Sequence, residues 1–240
     1  MQIHIYQTPE LAAAAAATII ASQIMGKPST VLGLPTGSTP VLTYRELIRM
    51  NREGVVDFSL VKTFNLDEYV GLSGEHPQSY RRFMNENLFD HINIDKAKTY
   101  VPSGIGDVEE NALAYEAAIT RAGGIDLQFM GIGRNGHIGF NEPADSYPDC
   151  TSIIELTEST INANKRFFDS ADEVPRRAIS MGVGTIMRAR KTLLIATGQN
   201  KAEAVHTLVK GKISPQLPAS ALRMHANAII VLDAAAASML

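Results

Sequence analysis

The apolar residues of this chain fall into short dense runs, and the stretches between those runs carry helical spacing. Residues 3–6, 30–34, 61–66, 125–132, 192–197 and 228–232 are the dense runs, of the length expected for strands buried on both faces. Between them, residues 9–25 are alanine-rich, with Thr8 placed to cap a helix and Pro9 at its first position. Residues 39–52 carry Leu42, Leu47 and Ile48 at helical spacing, with Gly54 near the end. Residues 77–90, 107–121 and 200–209 read as further helices. Strands that alternate with helices predict an α/β fold, a doubly wound, mostly parallel sheet with helices on both faces. No repeat or low-complexity linker divides the pattern, so one domain over residues 1–240 is expected. Residues 144–177 interrupt it with Pro148, Pro175, scattered charge and a short helical stretch near 160–167. That segment reads as a lid over the sheet edge or as an ordinary surface loop with a turn of helix.

Composition narrows the partners. Hydrophobic residues make up 45% of the chain and charged residues 20%, the balance of a soluble globular protein. With a formal net charge of −3 no global basic field recruits nucleic acid, so an anionic ligand must be held by local groups. Cys150 is the only cysteine, which excludes an intrachain disulfide and favours a reducing compartment. The N-terminal residues lack the basic and apolar regions of a signal peptide, and no apolar run reaches membrane-spanning length. A cytoplasmic protein with no membrane or nucleic-acid partner is expected.

Ligands of open α/β sheets bind beyond the carboxyl ends of the strands, and three motifs fall at such ends. After residues 30–34 come Pro35, Thr36, Gly37, Ser38, Thr39 and Pro40. The N–H groups of Gly37, Ser38 and Thr39 would face outward at a helix start and suit one phosphate monoester. The spacing is neither that of a Walker loop nor that of a dinucleotide fingerprint. A simple turn capped by Thr39 would use the same residues. The run 61–66 leads into Asp67, Glu68 and Tyr69. Strand alternation sends Asp67 and Glu68 to opposite faces, so one carboxylate would face a given pocket. An ordinary aspartate is a weak base near neutrality, and drying its surroundings would strengthen it. Two solvated loop carboxylates are the plain alternative. The run 125–132 drives into Gly133, Arg134, Asn135, Gly136, His137, Ile138, Gly139, Phe140, Asn141, Glu142 and Pro143. His137 is the side chain of this set that titrates nearest neutrality, Glu142 can favour its charged form, and Asn135 can orient it. The remaining histidines show no metal-ligand spacing, so no metal is expected. Arg166 and Lys201 are cations that could meet a phosphate, whereas Arg188, Arg190 and Lys191 read as a solvated turn.

Taken together and in order, these motifs resemble the glucosamine-6-phosphate deaminase family over nearly the whole chain. The resemblance is carried by Leu32–Pro40 as a block, by Phe64 to Tyr69, by Glu75 to Tyr80 and by Gly136 to Pro143, with Arg166 to Phe168 and Gly182 to Thr185 also similar to family segments. It implies a single catalytic α/β domain, needing no cofactor or metal, that converts glucosamine 6-phosphate and water to fructose 6-phosphate and ammonia. It implies that His137 moves the proton that opens the pyranose ring, that Glu142 stabilises the imidazolium, and that Asp67 removes the C2 proton. Gly37, Ser38 and Thr39 with Arg166 and Lys201 would then hold the phosphate, Tyr80 and Gly133 would line the sugar site, and 144–177 would contain a mobile lid. Asn135 stands where some members carry aspartate, which leaves Glu142 to supply the charge beside His137. Ser152 and Ile154 stand where hexameric, activator-regulated members place basic residues, and the chain is shorter than theirs. A weakly regulated monomer or low-order homo-oligomer is therefore expected. The rival readings are a 6-phosphogluconolactonase-like hydrolase, against which Ile138 to Pro143 and Asp67 to Tyr69 resemble the deaminase versions, and a non-catalytic sugar-phosphate sensor, which would have no need of Asp67, His137 and Glu142 together.

Overall fold

The computed structural model describes residues 1–158, 161, 168 and 173–240. Its centre is a seven-stranded parallel sheet. In chain order the strands of both sheets and the α-helices among the described residues are β1 (Gln2–Tyr6), α1 (Pro9–Gly26), β2 (Val31–Leu34), α2 (Pro40–Arg52), β3 (Lys62–Asn65), β4 (Asp67–Tyr69), α3 (Tyr80–Asn87), β5 (Thr99–Tyr100), α4 (Val108–Arg121), β6 (Leu127–Met130), β7 (Ser152–Glu155), β8 (Arg177–Ser180), α5 (Val183–Met187), β9 (Lys191–Ala196), α6 (Ala202–Lys210) and β10 (Ala228–Asp233). The strand order is β1-β10-β9-β6-β2-β3-β5. From β2 the chain winds outward through β3 to β5, returns to β6 on the other side of β2, and winds outward again through β9 to β10. The reversal lies between β2 and β6, where an open α/β sheet has its crevice.

Alternation along the strands divides the core into two layers. Leu32, Leu34, Phe129, Leu193, Ile195 and Val231 pack under α1, α2 and α3 on one face. Val31, Phe64, Met130, Leu194, Ile230 and Leu232 pack under α4, α5 and α6 on the other. Each such side chain contributes about 1.5–3 kcal/mol when fully buried. The capping read from the sequence holds for α1, where the Thr8 hydroxyl accepts the Leu11 N–H at 3.3 Å and Pro9 opens the helix.

Two expectations are corrected. The helix expected over 77–90 begins only at Tyr80, because Ser79 has extended backbone and caps the Arg82 N–H at 3.0 Å; Phe89–His91 then tightens into a 3-10 turn. The segment 144–177 is not merely a loop. β7 within it pairs antiparallel with β8, and β8 pairs antiparallel with β4, forming a three-stranded second sheet. These strands are three or four residues long and owe their pairing to partners far along the chain, so they leave little local pattern. The short helix expected near 160–167 lies outside the described residues.

At the amino-terminal edge of the parallel sheet, Asp126 ties strands together. Its buried carboxylate accepts the Val31 N–H at 2.8 Å, the Lys27 ammonium at 2.8 Å and the Thr30 hydroxyl at 3.2 Å, and lies 3.2 Å from the Arg190 guanidinium. Burial alone would raise its pKa, but those hydrogen bonds and the charges of Lys27 and Arg190 outweigh it and hold the carboxyl below its ordinary range. Its contribution to stability is thus present above the unfolded-state value near 4 and lost as pH falls. Asp126→Asn should lower stability by about 1–3 kcal/mol at neutral pH. Urea unfolding should show that deficit shrinking as the pH is taken below about 4.

Candidate active site

The parallel strands β9, β6, β2 and β3 are neighbours, so their carboxyl ends line one stretch of sheet edge. Gly37, Ser38, Thr39, Asp67, Gly133, Asn135, His137, Glu142 and Lys201 lie on segments that leave this stretch, and Tyr80 packs on one of them.

The turn after β2 is anchored by Tyr44 of α2, whose hydroxyl donates to the Pro35 carbonyl at 2.5 Å. Gly37 has φ of 100°, a conformation open to glycine at little cost. Gly37 and Ser38 are exposed, and Thr39 is half-buried. Thr39 does occupy the cap position of α2, but its backbone is helical and its hydroxyl makes no capping bond. The simple capped turn is therefore not what forms here. The N–H groups of Gly37, Ser38 and Thr39 find no acceptor among the described residues, which leaves them available to an anion at the helix start.

After β3 the chain changes sheets at Leu66. Its N–H donates to Leu34 of β2 at 3.1 Å, and its carbonyl accepts the Met181 N–H at 2.8 Å beyond β8. Asp67 and Glu68 are therefore strand residues of the second sheet, with 6% and 3% of their surface exposed, and not solvated loop carboxylates. Their surroundings differ. Glu68 accepts three backbone N–H groups, from Tyr69 at 2.9 Å, Tyr80 at 2.9 Å and Arg81 at 3.0 Å. Asp67 accepts no hydrogen bond among the described residues. Burial, followed by the adjacent charge of Glu68, pushes the Asp67 carboxyl up to about 8. Burial also raises Glu68, against the pull of its three N–H donors and of Arg81.

The loop after β6 is folded tightly on itself. The Gly133 N–H donates to the His137 carbonyl at 2.9 Å, and the Gly136 N–H to the Gly133 carbonyl at 3.1 Å. A Cβ at Gly133 would collide with the His137 imidazole, so only glycine lets the ring lie there. From outside, the Ala219 N–H braces the loop on the Gly136 carbonyl at 2.9 Å. His137 Nδ1 has no hydrogen-bond partner and lies 3.6 Å from Glu142 Oε1. Asn135 was expected to orient the imidazole; instead its Nδ2 donates to Glu142 Oε2 at 2.5 Å, and its Oδ1 accepts the His137 backbone N–H at 3.2 Å. The amide thus holds one carboxylate oxygen while the other is turned toward the ring.

This loop reaches Asp67. The position of a Gly139 Cβ lies 3.4 Å from Asp67 Oδ2 and 3.1 Å from the hydroxyl of Ser180. Ser180 is the register partner of Asp67 and accepts the Phe140 N–H at 3.1 Å. On the other side, Lys201, in a 3-10 turn ahead of α6, donates to the Ile132 carbonyl at 2.6 Å. Burial, helped by the nearby charge of Arg134, lowers its pKa. Tyr80 belongs to an aromatic cluster: it stacks on Phe140 at 6.0 Å and its hydroxyl meets that of Tyr69 at 3.3 Å. Arg166 lies outside the described residues. Arg188, Arg190 and Lys191 lie exposed on the turn into β9, as read from the sequence, and there meet Asp149 at 2.7 Å, Asp126 at 3.2 Å and Gln23 at 3.0 Å, respectively. Among the described residues no cluster of His, Cys, Asp and Glu side chains has the makings of a metal site, and no helix is long and apolar enough to cross a membrane.

Sequence reasoning passed over the donors to Glu68, the role of Ser180 beside Asp67, and the phenols around the pair. The signal for Ser79 as a helix cap was present; the others depend on strand pairing between distant segments.

The arrangement offers a dry carboxylate, an imidazole backed by a second carboxylate, and free N–H groups at a helix start, all on adjacent strand ends. The chain is similar to known proteins over nearly its whole length. The family model described as glucosamine-6-phosphate isomerases/6-phosphogluconolactonase matches residues 7–231. A glucosamine-6-phosphate deaminase of Clostridium perfringens (strain SM101 / Type A) is 57% identical over 226 residues, which cover 94% of this chain and 93% of that protein. One from Alkaliphilus oremlandii (strain OhILAs) is 49% identical over the whole of both chains. The solved structure of a monomeric glucosamine-6-phosphate deaminase superposes with a TM-score of 0.97 at 44% identity, each chain covered completely. The 6-phosphogluconolactonase of Trypanosoma brucei shares the fold, with a TM-score of 0.74 at 20% identity over 100% of this chain and 98% of that one. The chain belongs to the glucosamine-6-phosphate isomerase/6-phosphogluconolactonase family.

Proposed function

We propose that this protein is an aldose–ketose isomerising deaminase that converts glucosamine 6-phosphate and water to fructose 6-phosphate and ammonia. The observation that carries this reading is Asp67: a buried carboxylate without hydrogen-bond donors, pushed up to about 8, beside the loop that bears His137. Proton transfer from carbon is served by a base whose pKa lies near the working pH, and a solvated aspartate would be too weak. Lactone hydrolysis breaks no C–H bond, so it does not call for a base at C2.

The family resemblance implies the steps, and the placement of the side chains supports them. The substrate phosphate sits on the N–H groups of Gly37, Ser38 and Thr39, with the Lys201 ammonium nearby and Arg166 contributing as the family resemblance implies. Gly133 and Tyr80 border the sugar. His137 takes the anomeric hydroxyl proton and returns it to the ring oxygen, opening the pyranose. Glu142, held by Asn135, stabilises the imidazolium formed in between. Asp67 then removes the C2 proton, and the electron pair forms the C1–C2 double bond of an enolamine. Return of a proton to C1 leaves an iminium at C2, to which water adds before ammonia departs. The enzyme acts in amino-sugar catabolism in the cytoplasm. A monomer or low-order homo-oligomer is proposed, and the 44% identical relative named as monomeric supports the simpler form.

The direct test is incubation with glucosamine 6-phosphate and quantification of both products. Equal amounts of fructose 6-phosphate and ammonia are expected; no ammonia, with hydrolysis of 6-phosphogluconolactone, would make the lactonase reading the correct one.

Asp67→Asn should slow exchange of the C2 proton with solvent by about 10²–10⁴-fold while phosphate-dependent binding persists. In the native enzyme kcat/KM should rise with pH through a midpoint near 8 and level off about one unit higher, as Asp67 loses its proton.

The same group carries a stability cost whose sign is fixed. Its folded value is raised above the unfolded one, so its favourable contribution is complete below the unfolded pKa and disappears as pH climbs through the folded value. Thermal unfolding should therefore show Asp67→Asn gaining stability relative to the native protein as the pH rises from about 4 to about 8, with no further gain above that.

His137→Gln should depress turnover of the cyclic sugar much more than turnover of an open-chain analogue. Equal losses on both would remove His137 from the ring-opening step.

A further inference from the structure

Asp67 and Glu68 are adjacent buried carboxylates with opposite provision for charge. The pleat sends them to opposite sides of β4. On its side Glu68 meets the start of α3, where Tyr80 and Arg81 are the first residues and present N–H groups with no helical acceptor. Glu68 Oε1 takes the Tyr80 N–H and Oε2 the Arg81 N–H, at 2.9 and 3.0 Å, while the Tyr69 N–H adds a third bond at 2.9 Å. Ser79 caps the next free N–H, that of Arg82, so the helix start leaves Glu68 in sole possession of its donors. Those donors and the positive end of the helix favour the ionised form. Asp67, one residue away, has none.

The other groups around the pair are neutral near pH 7 or favour a charge on Glu68. From β4 itself comes the Tyr69 phenol, from α3 Tyr80 and Arg81, and from α4 Tyr115. Burial pushes all three phenols upward, so they stay protonated. Arg81 is fixed on Thr99, donating to its hydroxyl at 2.8 Å and its carbonyl at 2.7 Å, and its charge favours an ionised Glu68. Ser180 from β8 and Gly139 and Asn141 from the loop after β6 face Asp67 with uncharged groups.

We propose that Glu68 is a positioning residue for the reaction: a fixed buried anion that ionises first and makes Asp67 a stronger base by opposing the loss of its proton. Glu68 does not touch the substrate and acts through Asp67, so the proposal rests on the reading of Asp67 as the C2 base. Two like groups in neighbouring environments that separate their ionisations are a general way of obtaining a strong base from a carboxylate.

The test is the pH dependence of kcat/KM for the native enzyme, Glu68→Gln and Glu68→Asp. Glu68→Gln keeps the shape and part of the hydrogen bonding but removes the charge. Its acidic limb should move down by about one pH unit, with a lower plateau because the base is weaker. Glu68→Asp keeps the charge and should leave the limb near its native position. A Glu68→Gln limb that coincides with the native one, or a Glu68→Asp limb displaced as far as that of Glu68→Gln, would overturn the proposal. Should Glu68→Gln fail to fold, carboxyl ¹³C titration of the native protein decides the matter. Glu68 must ionise at lower pH than Asp67, and the reverse order overturns the proposal. Asp67→Asn serves as the separate control. If it still exchanges the C2 proton, the functional reading fails with everything built on it; if exchange stops and the limb is insensitive to Glu68, only the present inference fails.

Discussion

Leu66 belongs to two sheets at once, and the site depends on that. Its N–H continues the parallel sheet by bonding to Leu34, and its carbonyl accepts from Met181 at the end of the antiparallel sheet. Because the bonding partner changes from one side of a single residue to the other, the chain cannot run on into solvent as strand ends commonly do. It is turned instead beneath β8, and Asp67 goes with it. The Asp67 carboxylate then lies under Gly139 and Ser180, out of water and without donors. Desolvation is the first cause of its raised pKa, and desolvation here is a consequence of sheet topology.

The two edges of the parallel sheet treat polar groups in opposite ways. At the amino-terminal edge Asp126 is surrounded by Lys27, Thr30, the Val31 N–H and Arg190, and the carboxyl is held low. At the carboxyl-terminal edge, among the described residues, no donor reaches the buried Asp67 carboxylate, and His137 Nδ1, Asn65 Oδ1 and Asn141 Oδ1 have no hydrogen-bond partner. Buried polar groups left unmatched cost stability, and native proteins carry few of them.

Rigidity at the working edge comes from distant segments. The loop after β6 is clipped by the Ser180 hydroxyl, braced by the Ala219 N–H and supported beneath by the Lys201 ammonium. Aromatic rings close one flank, with Tyr80 stacked on Phe140 and Phe168 set edge-on to Tyr69 at 6.0 Å. A short glycine-rich loop is by itself soft. Contacts to β8, to the turn before α6 and to the 3-10 segment Pro218–Met224 give its histidine one position.

The local pattern was enough to place the strands of the parallel sheet except the two-residue β5; β2, β6, β9 and β10 are buried and largely apolar, and such runs announce themselves, while β1 and β3 were read from short apolar stretches. It was enough for the Thr8 cap and Pro9, which act within one helical turn, and for the glycines around His137, whose spacing reflects a close backbone approach. Composition could not reveal the second sheet. β4, β7 and β8 are held by pairing between residues such as Asp67 and Ser180, which lie far apart in the chain, and their short mixed sequences carry no period of their own. Nor could alternation alone say that Asp67 would be dry and Glu68 saturated with donors. A side chain's pKa is set by what surrounds it in three dimensions, and the Tyr80 and Arg81 N–H groups reach Glu68 only when α3 has docked. The residue types that do the chemistry were therefore written in the linear order, while the strength of the base was decided by the fold.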